Sequence, residues 1–153
     1  MPHSFAVLRK DHRAVEELFK QLEDTTERAE KGRTELFAEL KELLDQHTEI
    51  EETILYPALE KVELTHDATL EAEEEHNVAK TLLAELEASD PTTEHWTAKL
   101  TVLRESIEHH VEEEENELFP QAEKALDQDT LAELEEQLNK EKENSDSILE
   151  EIL

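Results

Sequence analysis

Two stretches of the chain put ionisable residues where a helical core should be apolar: HTEIEETILYP over 47–57 and HVEEEENELFP over 110–120. In each, a histidine and a glutamate stand four residues apart, His47 with Glu51 and His110 with Glu114. That step places both side chains on one face of a helix, one above the other. His12 and His76 likewise fall in the apolar stripes of two other helical patterns. Four imidazoles and two carboxylates are therefore expected to converge on one interior. An uncompensated buried carboxylate costs roughly several kcal/mol, and a bound metal removes that cost by turning it into a ligand. The set divides naturally into a dinuclear site, with two imidazoles per metal and both carboxylates bridging. The remaining positions are open to an oxygen bridge and an exogenous ligand. Nitrogen and oxygen donors with open positions suit iron ahead of manganese or zinc.

Composition narrows the chemistry further. The 153 residues contain no cysteine, which excludes disulfides, iron–sulfur clusters and thiol catalysis. Asp and Glu number 43 against 15 Lys and Arg, a formal net charge of -28. Such a field repels nucleic acid and anionic membrane surfaces, so neither is expected as a partner. No long apolar run marks a signal or a membrane span, and the expected location is the cytoplasm. One glycine, four prolines and abundant Leu, Glu, Ala and Lys predict a mostly helical chain.

The positioning elements follow from periodicity. A first helix is expected from Ser4, as N-cap, to Lys31, stopped by Gly32, with Leu8, His12, Val15, Phe19 and Leu22 on one face. A second runs from Thr34 to Val62, with Leu36, Leu40, Leu43, His47, Glu51, Ile54 and Ala58 in its stripe. A third spans Thr65–Ala88, and a fourth follows the break at 89–93 and runs to Leu126. Pro57 and Pro120 should each kink or interrupt a helix. The predicted fold is all-α: an up-down-up-down four-helix bundle over 1–128, with an additional acidic C-terminal helix over 129–153 that belongs to the same domain. Asn144 and Ser145 are candidate interruptions of that last helix.

The two halves are copies. KDHRAVEELFKQLE aligns with EEHNVAKTLLAELE, matching His12 to His76, and the two His-x-x-x-Glu motifs match through Tyr56/Phe119 and Pro57/Pro120. Each hairpin thus carries a histidine on its first helix and His-x-x-x-Glu on its second. Tyr56, the only tyrosine, lies five residues after Glu51 and is either packing or a phenol beside the metals, as donor or ligand. Glu52 and Glu115 are expected around the ligands or in solvent, Lys80 in solvent, and Trp96 in the core or an interface. His109 is expected at the periphery, and His3, His66 and His95 at the surface.

The order His, His-x-x-x-Glu, His, His-x-x-x-Glu, with Tyr-Pro or Phe-Pro after each pair, resembles the hemerythrin-like, or HHE cation-binding, family over residues 5–125. The resemblance implies a four-helix bundle around two iron ions with an oxo or hydroxo bridge. It implies His12, His47, Glu51, His76, His110 and Glu114 as ligands. Its members react with dioxygen, peroxide or nitric oxide, or sense iron and oxygen. This chain departs from the oxygen carriers in two places: Lys80 stands where their third helix repeats a histidine, and Glu114 follows His110 at four residues instead of an aspartate at five. Reversible oxygen carriage is therefore not the expectation. A ferritin-like site needs two Glu-x-x-His motifs, and only Glu73-x-x-His76 is present. The expected function is a di-iron protein reacting with a small oxidant, preferably catalase-like turnover of peroxide. The alternative is a non-enzymatic iron or oxygen sensor whose protein partner the sequence does not identify.

Overall fold

The computed structural model describes the backbone of residues 4–152 and the side chains of residues 4–146. Expectations for His3, Ile148 and Ile152 lie outside the described residues or side chains. The helices are α1 (Ala6–Glu23), α2 (Glu30–Ile50), α3 (Tyr56–Glu60), α4 (His66–Glu87), α5 (Glu94–Glu113), α6 (Phe119–Ala125) and α7 (Gln128–Ile152). No strand occurs among the described residues. None of their helices is long and apolar enough to cross a membrane. Hairpins α1–α2 and α4–α5 pack together as a helical bundle, and α7 lies against α1 and α2.

Several boundaries differ from expectation. Phe5, not Ser4, occupies the cap position of α1, in the left-handed region at φ 62°. This unusual conformation for a bulky residue is held by burial of its ring and by its N–H donating to Glu135 Oε1 at 2.6 Å. The first helix ends at Glu23, where the Thr25 hydroxyl donates to the Leu22 carbonyl. Gly32 therefore stops nothing; it lies inside α2 with an ordinary negative φ. Asn144 and Ser145 do not interrupt α7, which continues through them.

The prolines act differently from a kink or a stop. Pro57 and Pro120 have no N–H to return to the carbonyl four residues back. Just before each, the helix widens into a π-helical turn, Glu51–Leu55 and Glu114–Leu118. The N–H groups of Tyr56 and Phe119 reach five residues back, to the carbonyls of Glu51 and Glu114. The helices therefore run on through both prolines. The extra residue in the turn advances the buried stripe by one. Leu55, Tyr56 and Leu59 are buried in place of the expected Ile54 and Ala58, which are half-buried. Higher in α2 the stripe also sits one residue off, with Phe37 and Leu44 buried and Leu36 and Leu43 only packed against them.

Two apolar clusters result. One, built around Phe19, Leu40, Leu83, Trp96 and Leu103, fills the end of the bundle near the α1–α2 and α4–α5 turns. Buried Arg33 closes that end: its guanidinium donates to Thr25, the Pro91 carbonyl and Thr97, and lies 5.2 Å from the Trp96 ring. The other contains Phe5, Leu8, Tyr56, Leu59, Phe119, Leu134 and Leu138. Leu134 and Leu138 come from α7, so the acidic C-terminal helix completes this second core. Leu138→Ala should therefore destabilise the protein by about 2–5 kcal/mol, as for a filled core position. The exposed Glu136→Ala should stay within about 0.5 kcal/mol. Chemical denaturation of both variants checks this; equal effects would mean that α7 is not part of the core.

Candidate metal centre

Along every long bundle helix, one ionisable position separates the two apolar clusters. His12 falls between Leu8 and Val15, His47 between Leu44 and Ile50, His76 between Ala72 and Ala79, and His110 between Ile107 and Leu118. Glu51 and Glu114 lie at the same level, at the first residue of each π turn. All six expected residues are buried, with Glu51 0% and Glu114 2% exposed.

The structure brings these six together as two abutting groups. His12, His47, Glu51 and Glu114 each offer one ligand atom, all within 4.8 Å of one another. Glu51, His76 and His110 form a second group on the same criterion, and Glu114 Oε2 lies 3.3 Å from His110 Nε2. Both carboxylates are thus shared between an imidazole pair from one hairpin and a pair from the other. The imidazole rings are 4.9 Å apart in the first pair and 4.8 Å apart in the second. In the first group His12 Nε2, His47 Nε2, Glu51 Oε2 and Glu114 Oε1 are buried with no hydrogen-bond partner. His12 Nε2 approaches Glu114 Oε1 to 3.1 Å, and His47 Nε2 approaches Glu51 Oε1 to 3.1 Å, as charge contacts without hydrogen-bond alignment. Buried polar atoms are almost always paired, so four orphans facing one point fit a cation between them.

The outer nitrogens are all occupied. His12 Nδ1 donates to Glu115 at 2.5 Å, His47 Nδ1 to Asp11 at 2.9 Å, His76 Nδ1 to Glu52 at 3.3 Å and His110 Nδ1 to Glu75 at 3.0 Å. Each contact fixes the ring and leaves Nε2 facing inward, the arrangement typical of metal-bound histidine. Glu52 and Glu115 were expected near the ligands or in solvent; they belong to this ring of carboxylates. Asp11 and Glu75 escaped the sequence reading, although the signal was there: both immediately precede a candidate histidine, at matching positions of the repeat. Neither serves its neighbour. Asp11 holds His47 and Glu75 holds His110, across each hairpin. Lys80, expected in solvent, is 46% exposed but also donates to Glu52 at 2.8 Å. Trp96 lies in the core, and His66, His95 and His109 are exposed as expected.

Tyr56 breaks the two-fold pattern. The π turn brings position 56 over position 51, and the phenol enters the second group. It donates to Glu114 Oε2 at 2.6 Å and stands 3.1 Å from His76 Nε2 and 3.4 Å from His110 Nε2. Phe119, its counterpart, has no such group; it lies parallel to the His12 ring and tilted against Phe5. Burial first, and then the Glu114 and Glu51 carboxylates, push the phenol well above its usual range. It is therefore a proton donor in the metal-free centre.

The histidines carry the opposite tendency. Burial alone would lower His47, but the Glu51 carboxylate and the Asp11 hydrogen bond outweigh it and raise the imidazole to about 10. His110 is likewise raised against its burial, mainly by Glu114, and His12 by Glu114 and Glu115. Burial would raise Glu114, but its partner histidines, His110 foremost, hold it well below the ordinary carboxylate range. In the metal-free protein, protons on the imidazoles thus supply the positive charge that the buried carboxylates require.

Comparison with known proteins agrees with this fold. A crystal structure of a hemerythrin HHE cation binding domain-containing protein from Mycobacterium kansasii superposes with a TM-score of 0.81 at 24% identity, covering 99% of this chain and 93% of that one. That likeness bears on the fold. A protein of Nostoc sp. (strain PCC 7120 / SAG 25.82 / UTEX 2576) described as a DNA nickase is 30% identical over 113 residues. The match covers 74% of this chain but only 31% of that protein. The family model for the hemerythrin HHE cation binding domain matches residues 3–122, which take in both hairpins and all six candidate ligands. The chain belongs to the hemerythrin HHE cation-binding family.

Proposed function

We propose that this protein holds two iron ions between its hairpins and reacts with a small oxidant, hydrogen peroxide foremost. The observation that carries this reading is the set of four orphaned atoms on His12, His47, Glu51 and Glu114, with a second group that shares Glu51 and whose His110 lies 3.3 Å from Glu114 Oε2. His12 and His47 would hold one ion, His76 and His110 the other, and Glu51 and Glu114 would bridge them. Two irons, when bound, supply the two-electron couple that peroxide disproportionation requires. The chain's own residues supply the rest. The carboxylates Glu115, Asp11, Glu52 and Glu75 orient the imidazoles, and the two apolar clusters exclude bulk water. Tyr56 holds a proton on its hydroxyl beside Glu114 Oε2. A cavity of about 270 Å³ opens beside the centre, lined by His12, Phe19, Ile107, Val111 and Glu115. Nickase activity is not carried over from the Nostoc protein: the match spans a minor part of it, and a net charge of -28 opposes DNA. A second reading, iron or oxygen sensing, is favoured by the contact between α7 and the centre described below.

Metal analysis and thermal melting test the assignment. Protein loaded with iron should hold two ions per chain and melt well above the metal-free form. Glu51→Ala should abolish the iron-dependent rise in Tm, and Glu49→Ala, on the exposed side of the same helix, should keep it. One ion per chain would refute the dinuclear centre, and no rise in any form would refute the metal site.

The histidine shifts give a pH dependence. Because His47 titrates near 10 when folded, its protonated form stabilises the metal-free protein fully below about 6.5, the unfolded value. That contribution is lost as pH rises through about 10. Metal needs the neutral ring, so the Tm rise on metal loading should grow between pH 6 and 9, with protons released on binding. A rise that shrank with pH, or binding without proton release, would contradict this account.

Tyr56→Phe separates proton donation from packing. Phe119 shows that phenylalanine fits the matching place, so the variant should fold and keep two metals. Peroxide turnover should fall about a hundredfold if the phenol supplies a proton. Unchanged turnover and absorption would leave Tyr56 a packing residue.

A further inference from the structure

The carboxylates around the centre obey the repeat, but the cations behind them do not. Asp11 and Glu75 are repeat partners, holding His47 and His110. Behind Glu75 stands the exposed His109, 3.8 Å away, and no lysine or arginine pairs with this carboxylate among the described residues. Behind Asp11 stands Lys142, whose ammonium lies 3.0 Å from Asp11 Oδ1 while Oδ2 holds the imidazole. Lys142 belongs to α7, outside both hairpins. Its side chain is 17% exposed and also donates to the side-chain amide oxygen Oε1 of Gln46, next to His47 in sequence. Asp11 is itself buried, with its side chain 5% exposed.

We propose that α7 is coupled to the metal centre through Lys142, a positioning residue that sets Asp11 and, through it, the ring of His47. This rests on the reading of His12, His47, Glu51 and Glu114 as a metal site. A buried carboxylate with two oxygens and two partners has one orientation. Remove the ammonium, and Asp11 is left with half its partners and a freer side chain; the His47 ring loses its fixed aim. The relation is reciprocal. If docked α7 favours metal at this site, metal at this site must favour docked α7 by the same factor. The same helix seals the second apolar cluster through Leu134 and Leu138, and Glu135 holds Phe5 in its left-handed conformation. Metal occupancy would therefore be transmitted to an exposed helix at the surface, as a sensor requires. An enzyme with the same link would fill its site only when the end of the bundle is closed.

The test uses Co2+, whose visible bands report the ligand field, on the full chain. In wild type, loading with Co2+ should slow hydrogen exchange at the α7 amides about tenfold. In Lys142→Met one of the two ions should bind about tenfold weaker, with altered bands, and the metal-dependent slowing in α7 should vanish. Lys142→Arg should restore both, and Lys140→Met, at an exposed position on the same helix, should change neither. If wild-type α7 exchanges alike with and without Co2+, the coupling is refuted. It is equally refuted if Lys142→Met loosens α7 in both states while leaving Co2+ affinity and bands unchanged, for then the lysine only docks the helix. A wild type that binds no Co2+ would overturn the metal site itself, whereas two tightly bound ions indifferent to Lys142 would overturn the coupling alone.

Discussion

The protein is built around a layer of charge that its own core cannot tolerate alone. Two apolar clusters meet at the level of His12, His47, His76 and His110, and two almost fully buried carboxylates sit between them. An apolar layer there would give a continuous core and greater stability; replacing buried ion pairs by hydrophobic residues is often stabilising. Much of the surrounding structure compensates for that choice. His12, His47 and His110, all held above the ordinary imidazole range, supply positive charge to the carboxylates from within. Four outer carboxylates then fix the imidazoles, and Arg13, Lys80 and Lys142 bind three of those in turn. Charge alternates outward in shells until it reaches solvent. A chain with 43 acidic residues and 15 basic ones has placed several of its few cations against this one site.

The π turns are the backbone's part in the same arrangement. An ordinary α-helix would carry position 56 about 100 degrees beyond Glu51 for each residue and aim its side chain away from the layer. Widening by one residue brings the fifth position back over the first. Tyr56 in one half and Phe119 in the other are thereby directed at the centre. Proline makes the widening easy to sustain, because it removes the N–H that would otherwise close the tighter ring. Motif, π turn and proline are one device: His-x-x-x-Glu sets two candidate ligands along an α turn, and the wider turn adds an aromatic above them.

Helical class, bundle topology and the six candidate ligands were legible because each depends on local spacing repeated twice in the chain. What the spacing misjudged is equally physical. The stripe of the second helix slipped by one residue after Glu51 because a constant 3.6-residue period cannot register a π turn. Gly32 looked like a stop because glycine often is one, yet the threonine hydroxyl at position 25 already ends the first helix. Asp11 and Glu75 were hidden by direction: each adjoins a histidine in sequence but serves the histidine on the neighbouring helix. Lys142 carried no local signal at all, since its partner lies 131 positions earlier and is reached only after α7 folds back.

Duplication explains the symmetry of the candidate ligands, and the departures from duplication show where the halves have diverged in use. The outer carboxylates retain the repeat in all four positions. The phenol is present in one half only, and the α7 lysine backs one half only. Both differences touch atoms adjacent to the shared layer rather than the layer itself. Two otherwise equivalent positions thus acquire unlike surroundings: Arg13 and Lys142 lie behind the pair His12 and His47, whereas Tyr56 and the half-exposed Lys80 accompany His76 and His110. The first pair thus has more positive charge placed behind its carboxylates than the second. The result is an electrostatic difference between the two halves of an otherwise symmetric scaffold. Here it arises from side chains that the repeat does not dictate.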